Sequence, residues 1–123
     1  LEMDMRRPHE LKGGSAAGML MNCLFLKDLE TGAEQHWWAG PVSTLQEPCF
    51  IPRSKDATEG DGWIVQVCNR LAEHRSDLLL FDALAIEKGP IATIQVPIRL
   101  RFGLHGNFAP SEAIGLAREP VPA

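Results

Sequence analysis

The residue in this chain best placed to do chemistry is His105, which stands in Arg-Leu-Arg-Phe-Gly-Leu-His-Gly-Asn-Phe-Ala-Pro over positions 99–110. Gly103 and Gly106 flank it and allow a tight turn after a strand that leaves the imidazole unobstructed. A neutral imidazole presented in this way suits iron, copper or zinc at the mouth of a β-structure. The competing role is a turn histidine satisfied by backbone. The other three histidines have weaker claims: His36 sits beside Trp37 and Trp38 and reads as a packed or edge residue, His74 falls in a polar hairpin loop and reads as solvated, and His9 lies in a run without period. Asp28, Asp77 and Asp82 could be taken for paired carboxylates, but their places at strand ends assign them to turn and backbone hydrogen bonds. There is no Ser-His-Asp order in a plausible elbow, no CxxC zinc pattern and no glycine-rich phosphate loop.

Composition narrows the class further. With 45% apolar and 23% charged residues the chain has the balance of a globular protein, and its 123 residues suffice for one domain that buries roughly two thirds of its unfolded surface. A formal charge of -4 and scattered basic residues argue against nucleic acid as a partner. Cys23, Cys49 and Cys68 are odd in number and widely spaced, so they read as reduced, half-buried strand residues of a cytoplasmic protein. No apolar run reaches the roughly 18 residues of a membrane span, and no transmembrane segment is expected. The chain begins with Leu1 and its first dozen residues are aperiodic, which points to a piece of something longer.

The elements that must position His105 are strands. Residues 22–28 and 34–39 read as two strands joined by Asp-Leu-Glu-Thr-Gly, where Gly32 takes the positive φ that closes the loop. Residues 47–52, with Pro48 and Pro52, read as an edge or irregular strand, and 53–62 as a polar loop. Strands follow at 63–69, 76–83 and 91–96, with a loop or single helical turn at 70–75. Five or six short strands separated by Gly and Pro, with no convincing amphipathic helix, indicate an antiparallel sandwich, barrel or propeller. On a propeller's blade length of about 40 to 50 residues the chain makes two blades and a closing strand.

Three motifs then carry a resemblance. Glu-Pro-Cys-Phe-Ile-Pro-Arg at 47–53, Asp-Gly-Trp at 61–63 and Phe-Gly-Leu-His-Gly at 102–106, with the strand at 76–83 between the last two, resemble the carotenoid cleavage oxygenase family over residues 32–110. Glu47 and His105 stand 58 residues apart (105 minus 47), as in the C-terminal quarter of that family. The stretch 31–41 is closer to its lignostilbene and resveratrol dioxygenase branch, and Leu104 departs from the phenylalanine that many members carry before the histidine.

The resemblance implies an all-β fold in which residues 1–123 are the C-terminal blades of a single seven-bladed β-propeller domain, a partial domain whose upstream blades are missing. It implies a ferrous ion, Fe2+, on the propeller axis, held by four histidines of which the last falls on His105, with Glu47 behind a ligand as acceptor of its distal N–H. A carboxylate in that place fixes the imidazole's tautomer and angle. The activity implied is oxidative cleavage of a C=C bond by O2 into two carbonyl products. The substrate implied is apolar and conjugated, a stilbenoid first and a carotenoid or apocarotenoid second. With one of four ligands, the chain alone is expected to bind iron weakly and to be inactive, the missing N-terminal part being its necessary partner. Two other classes compete: a catalytically silent propeller segment used for protein contacts, and a free-standing β-sandwich that binds an apolar ligand.

Overall fold

Along 62–70 every second residue is buried, the period of a strand with one face against a core. The computed structural model describes residues 21–101, 103 and 105–115 together with the backbone of 2–4. Readings that fell on His9, Phe102 and Leu104 lie outside the described residues. The strands are β1 (Glu2–Asp4), β2 (Cys23–Lys27), β3 (Glu34–Trp38), β4 (Ser43–Leu45), β5 (Cys49–Pro52), β6 (Gly62–Arg70), β7 (Arg75–Asp82) and β8 (Ala92–Val96), and a 3-10 turn spans Ile86–Lys88. All pairings are antiparallel and form two sheets, β1-β2-β3 and a larger one in which β6, β7 and β8 follow one another. There is no α-helix among the described residues.

β6 is the organising strand. On one side it pairs with β7 from Trp63↔Asp82 to Arg70↔Arg75, closed by a tight turn in which His74 takes φ 52°. On the other side its partner is split: β4 covers Cys68 to Arg70 and β5 covers Gly62 to Val65, leaving 46–48 opposite the interval. Pro48 has no N–H to continue a ladder there. The motifs at 47–53 and 61–63 prove to be two arms of one hairpin, since Arg53 pairs with Asp61 at 2.7 Å and lies 4.5 Å over the Trp63 ring. Being exposed, that ion pair is worth about 1 kcal/mol at most.

Both sheets share one core. Leu24 and Ala39 meet Leu45, Ile64, Cys68, Leu79, Phe81 and Ile86, and Trp37 packs edge-on to Phe81 at 4.9 Å. The Phe81 side chain, wholly buried, contributes roughly 2 to 3 kcal/mol by leaving water. Asp28 accepts from Glu30 and Thr31 N–H in the β2–β3 loop, where Gly32 has φ 73°, so the expected loop chemistry holds. Asp82 likewise accepts from Leu84 N–H.

One expectation is corrected, and one strand was not anticipated. Asp77 serves no turn: its carboxylate, 1% exposed, lies between the guanidinium groups of Arg70 at 3.1 Å and Arg75 at 2.8 Å. Arg70 also donates to the Ala39 carbonyl at 2.6 Å and to Ser43 Oγ, which stitches the end of β3 to β4 and β7. β4 was not expected, because three residues are too few to show a period. β8 joins the larger sheet through β7.

Burial by itself would raise the Asp77 carboxyl's pKa, but hydrogen bonds from Arg75 and Arg70 outweigh it and hold the group below its usual value. A depressed folded-state value means that the stabilisation is complete above the unfolded-state value of about 4 and is lost as pH falls through the lower one. Asp77→Asn is therefore expected to cost about 2 kcal/mol at neutral pH. Urea unfolding should show the gap from wild type narrowing below about pH 4. A gap independent of pH would show that the carboxylate's charge contributes nothing.

Candidate functional site

The segment that carries His105 leaves β8 and crosses the end of the larger sheet, and side chains from successive strands fasten it. Leu100 N–H donates to Ser76 Oγ of β7 at 2.9 Å, and that hydroxyl donates to Asn69 Oδ1 of β6 at 2.6 Å. At the interval between β4 and β5, Gln46 bonds the Arg101 carbonyl and the Gly103 N–H at 3.1 and 3.2 Å. Glu47 then accepts from Gly106 N–H at 3.2 Å and faces His105 Nδ1 with both oxygens, at 3.3 and 3.4 Å. Two residues singled out in the sequence at a separation of 58 are thus in contact.

The glycines do not serve as expected. Gly106 has no left-handed φ, and a Cβ there would meet nothing within 4 Å. At Gly103 a Cβ would lie 2.8 Å from Gln46 Oε1, so a side chain there would displace the end of the Gln46 amide.

The chemistry of the pair follows from donor and acceptor rules. A carboxylate only accepts, so the contact suits the neutral tautomer with its proton on Nδ1, in which Nε2 is the nitrogen with a lone pair. At 3.3 Å the contact is longer than the roughly 2.8 Å of a short charge-assisted bond, so Glu47 orients the ring without clamping it. His105 is 88% exposed at its side chain, which leaves the outward nitrogen accessible. Among the described residues no three His, Cys, Asp or Glu side chains converge as a metal site. By its donor chemistry His105 could hold a metal only together with ligands beyond those described residues.

A cleft of about 290 Å³ opens beside the histidine. Cys49, Ile51, Val65, Val67, Leu78 and Phe108 give it apolar walls, while Gln46, Glu47 and Asn107 are its polar points. That is the balance of a site for an apolar small molecule with few orienting groups.

Of the remaining sequence candidates only Cys49 reaches this site, as part of the cleft wall. His36 is exposed on β3 and stacks on Phe25 at 4.8 Å, and His74 is exposed in its turn. Cys23 and Cys68 are buried in strands and Cys49 is half-buried. Trp37 belongs to the core and Trp38 faces outward. Sequence reasoning missed Gln46, Ser76 and Asn69, whose roles appear only once 100–103 folds back across the sheet.

Comparison with known proteins adds three findings. The retinal pigment epithelial membrane protein family matches residues 5–110. Lignostilbene-α,β-dioxygenase isozyme III of Sphingomonas paucimobilis is 45% identical over 117 residues, 95% of this chain and 24% of that protein. Isoeugenol monooxygenase of Pseudomonas nitroreducens is 47% identical over 89 residues, 72% of this chain and 19% of that protein. The crystal structure of Pseudomonas brassicacearum lignostilbene dioxygenase superposes with a TM-score of 0.75 at 41% identity, over 89% of this chain and 23% of that one. The chain thus spans about a quarter of the length of the relatives it matches most fully. By that likeness the two sheets are blades of a β-propeller, present as a partial domain. Among the described residues no helix is long and apolar enough to cross a membrane.

The hold of Glu47 on the turn is open to direct measurement. Removing one hydrogen bond of about 1 to 1.5 kcal/mol frees an amide roughly tenfold. In Glu47→Ala the Gly106 amide should exchange with solvent faster by that factor, with β6 and β7 unchanged. An unaltered Gly106 rate would mean that something other than the carboxylate fixes the turn.

Proposed function

Because the chain belongs to the retinal pigment epithelial membrane protein family, the carotenoid oxygenases, we propose that it is the C-terminal segment of a non-haem iron dioxygenase that splits a C=C bond with O2 into two carbonyl products. The observation that carries this reading is the Glu47–His105 pair, a histidine with one nitrogen turned to a carboxylate and the other outward. His105 supplies one of four histidine ligands to ferrous iron, and Glu47 sets its tautomer and angle. Iron held by neutral imidazoles supplies the open positions and redox chemistry that O2 activation needs.

The chain's own part is to hold and to shelter. Glu47 keeps the Nδ1 proton away from the metal-facing nitrogen. The apolar walls formed by Ile51, Val65, Val67, Leu78 and Phe108 take a flat conjugated substrate and keep water from it. The substrate proposed is a stilbenoid, with carotenoids or apocarotenoids second. Relatives named for lignostilbene and isoeugenol, both aryl-substituted alkenes, support that order. Three widely spaced cysteines without a CxxC pattern suit a reducing cytoplasm, where we place the protein.

Incubation of the full-length protein with ferrous iron, a stilbenoid and 18O2 should give two aldehydes carrying label. His105→Ala is expected to abolish turnover and iron retention, and Glu47→Ala to lower iron affinity about ten- to a hundredfold. The 123-residue chain alone should hold iron weakly and turn over nothing. Retention of iron and turnover by His105→Ala would end this reading, as would tight iron on the chain alone.

A further inference from the structure

We infer that Gln46 is a positioning residue of this site, its side-chain amide standing in for a neighbouring strand and setting the segment that presents His105. The inference rests on the proposed role of His105 as an iron ligand. In a parallel ladder a residue donates to the carbonyl before the position opposite and accepts from the amide after it. Gln46 does both with one planar group: Nε2 donates to the Arg101 carbonyl at 3.1 Å, and Oε1 accepts from Gly103 N–H at 3.2 Å. The two bonds straddle position 102 as a strand's peptides would.

The other end of Gln46 is anchored to β6. Its N–H donates to the Val67 carbonyl at 2.9 Å, and its carbonyl accepts from Gln66 Nε2 at 2.6 Å. A continuous path of hydrogen bonds therefore runs from the buried sheet to the backbone two residues before His105. Among the described residues of this segment, 101, 103 and 105–108 are all exposed. Gly103 belongs to the same device, because a side chain at that position would run into the Gln46 amide oxygen. Glu47 alone gives the turn one amide bond and one long imidazole contact, which fixes where the ring faces and leaves the path of the chain before it to Gln46.

The test uses the full-length protein and ferrous iron. Gln46→Met keeps the side chain's length and removes both hydrogen bonds, while Gln46→Glu keeps an acceptor for Gly103 and removes the donor to Arg101. Iron affinity is expected to fall about tenfold in Gln46→Met, the lower end of the effect of losing a ligand's outer partner, and less in Gln46→Glu. Hydrogen exchange of the iron-free protein should quicken across 101–106 and stay unchanged in β6 and β7. Wild-type iron affinity in Gln46→Met, with affinity lost in His105→Ala, would overturn the inference and leave the proposed function standing. Faster exchange in β6 and β7 as well would also overturn it, by showing that Gln46 supports the sheet rather than the segment. Retained affinity in His105→Ala would instead remove the proposed function beneath it.

Discussion

The site depends on an interruption in the outer row of the larger sheet. In a regular strand, neighbouring side chains point to opposite faces, so two adjacent residues could not grip the same passing segment. Between β4 and β5 that rule is suspended: residues 46–48 belong to neither strand, and Pro48 cannot donate to a ladder. Gln46 and Glu47 therefore both reach the chain between 101 and 106. A continuous edge strand would turn one of them to the opposite face of the sheet.

An interruption of this kind weakens an edge, and the surrounding structure offsets it. β6 loses a ladder partner opposite 66–67 but keeps two bonds there, the Gln46 N–H to Val67 and the Gln66 side chain to the Gln46 carbonyl. On its other side β6 is paired along nearly its whole length with β7. The Arg70–Asp77–Arg75 cluster then fixes the end of that hairpin. Exposed pairs such as Lys27–Glu34 and Arg53–Asp61 are worth about 1 kcal/mol or less each. Asp77 is different, because its buried carboxylate would cost several times that without its arginines. Buried electrostatics at one end of β6 and apolar packing around Ile64 and Phe81 hold the strand from which the site is built.

How much of this could be read in advance follows the range of the interactions. Alternation along 63–69, the apolar run at 78–81 and the Gly and Pro breaks are local signals, and they located the long strands to within a residue or two. Ser43 to Leu45 became a strand only because β6 lay ready to pair with it. Asp77 looked like a loop carboxylate because its arginines become neighbours only when the β6–β7 hairpin sets Arg70 opposite Arg75. That register was implicit in the two strand limits, so the cluster was within reach of the sequence. Gln46 was not, since its partners lie 55 and 57 residues further on and use backbone atoms that leave no mark on residue type.

The exposure of His105 follows from the same arrangement. In the role proposed for it, His105 would have to meet a position set outside its own segment, and deep packing would fix it beforehand. Here the restraint is graded along the chain: the buried Ser76 hydroxyl holds Leu100, the Gln46 amide holds Arg101 and Gly103, and the longer Glu47 contact faces the ring itself. Each step outward is less buried than the one before. Position is thus set by the sheet and the final angle by a carboxylate. The outward nitrogen, with its 88% exposed side chain, is left to be covered by whatever completes the propeller. The same edge exposes Ile94 of β8 and the preceding Ile91, each 59% exposed, apolar surface of the kind that marks a contact with another element.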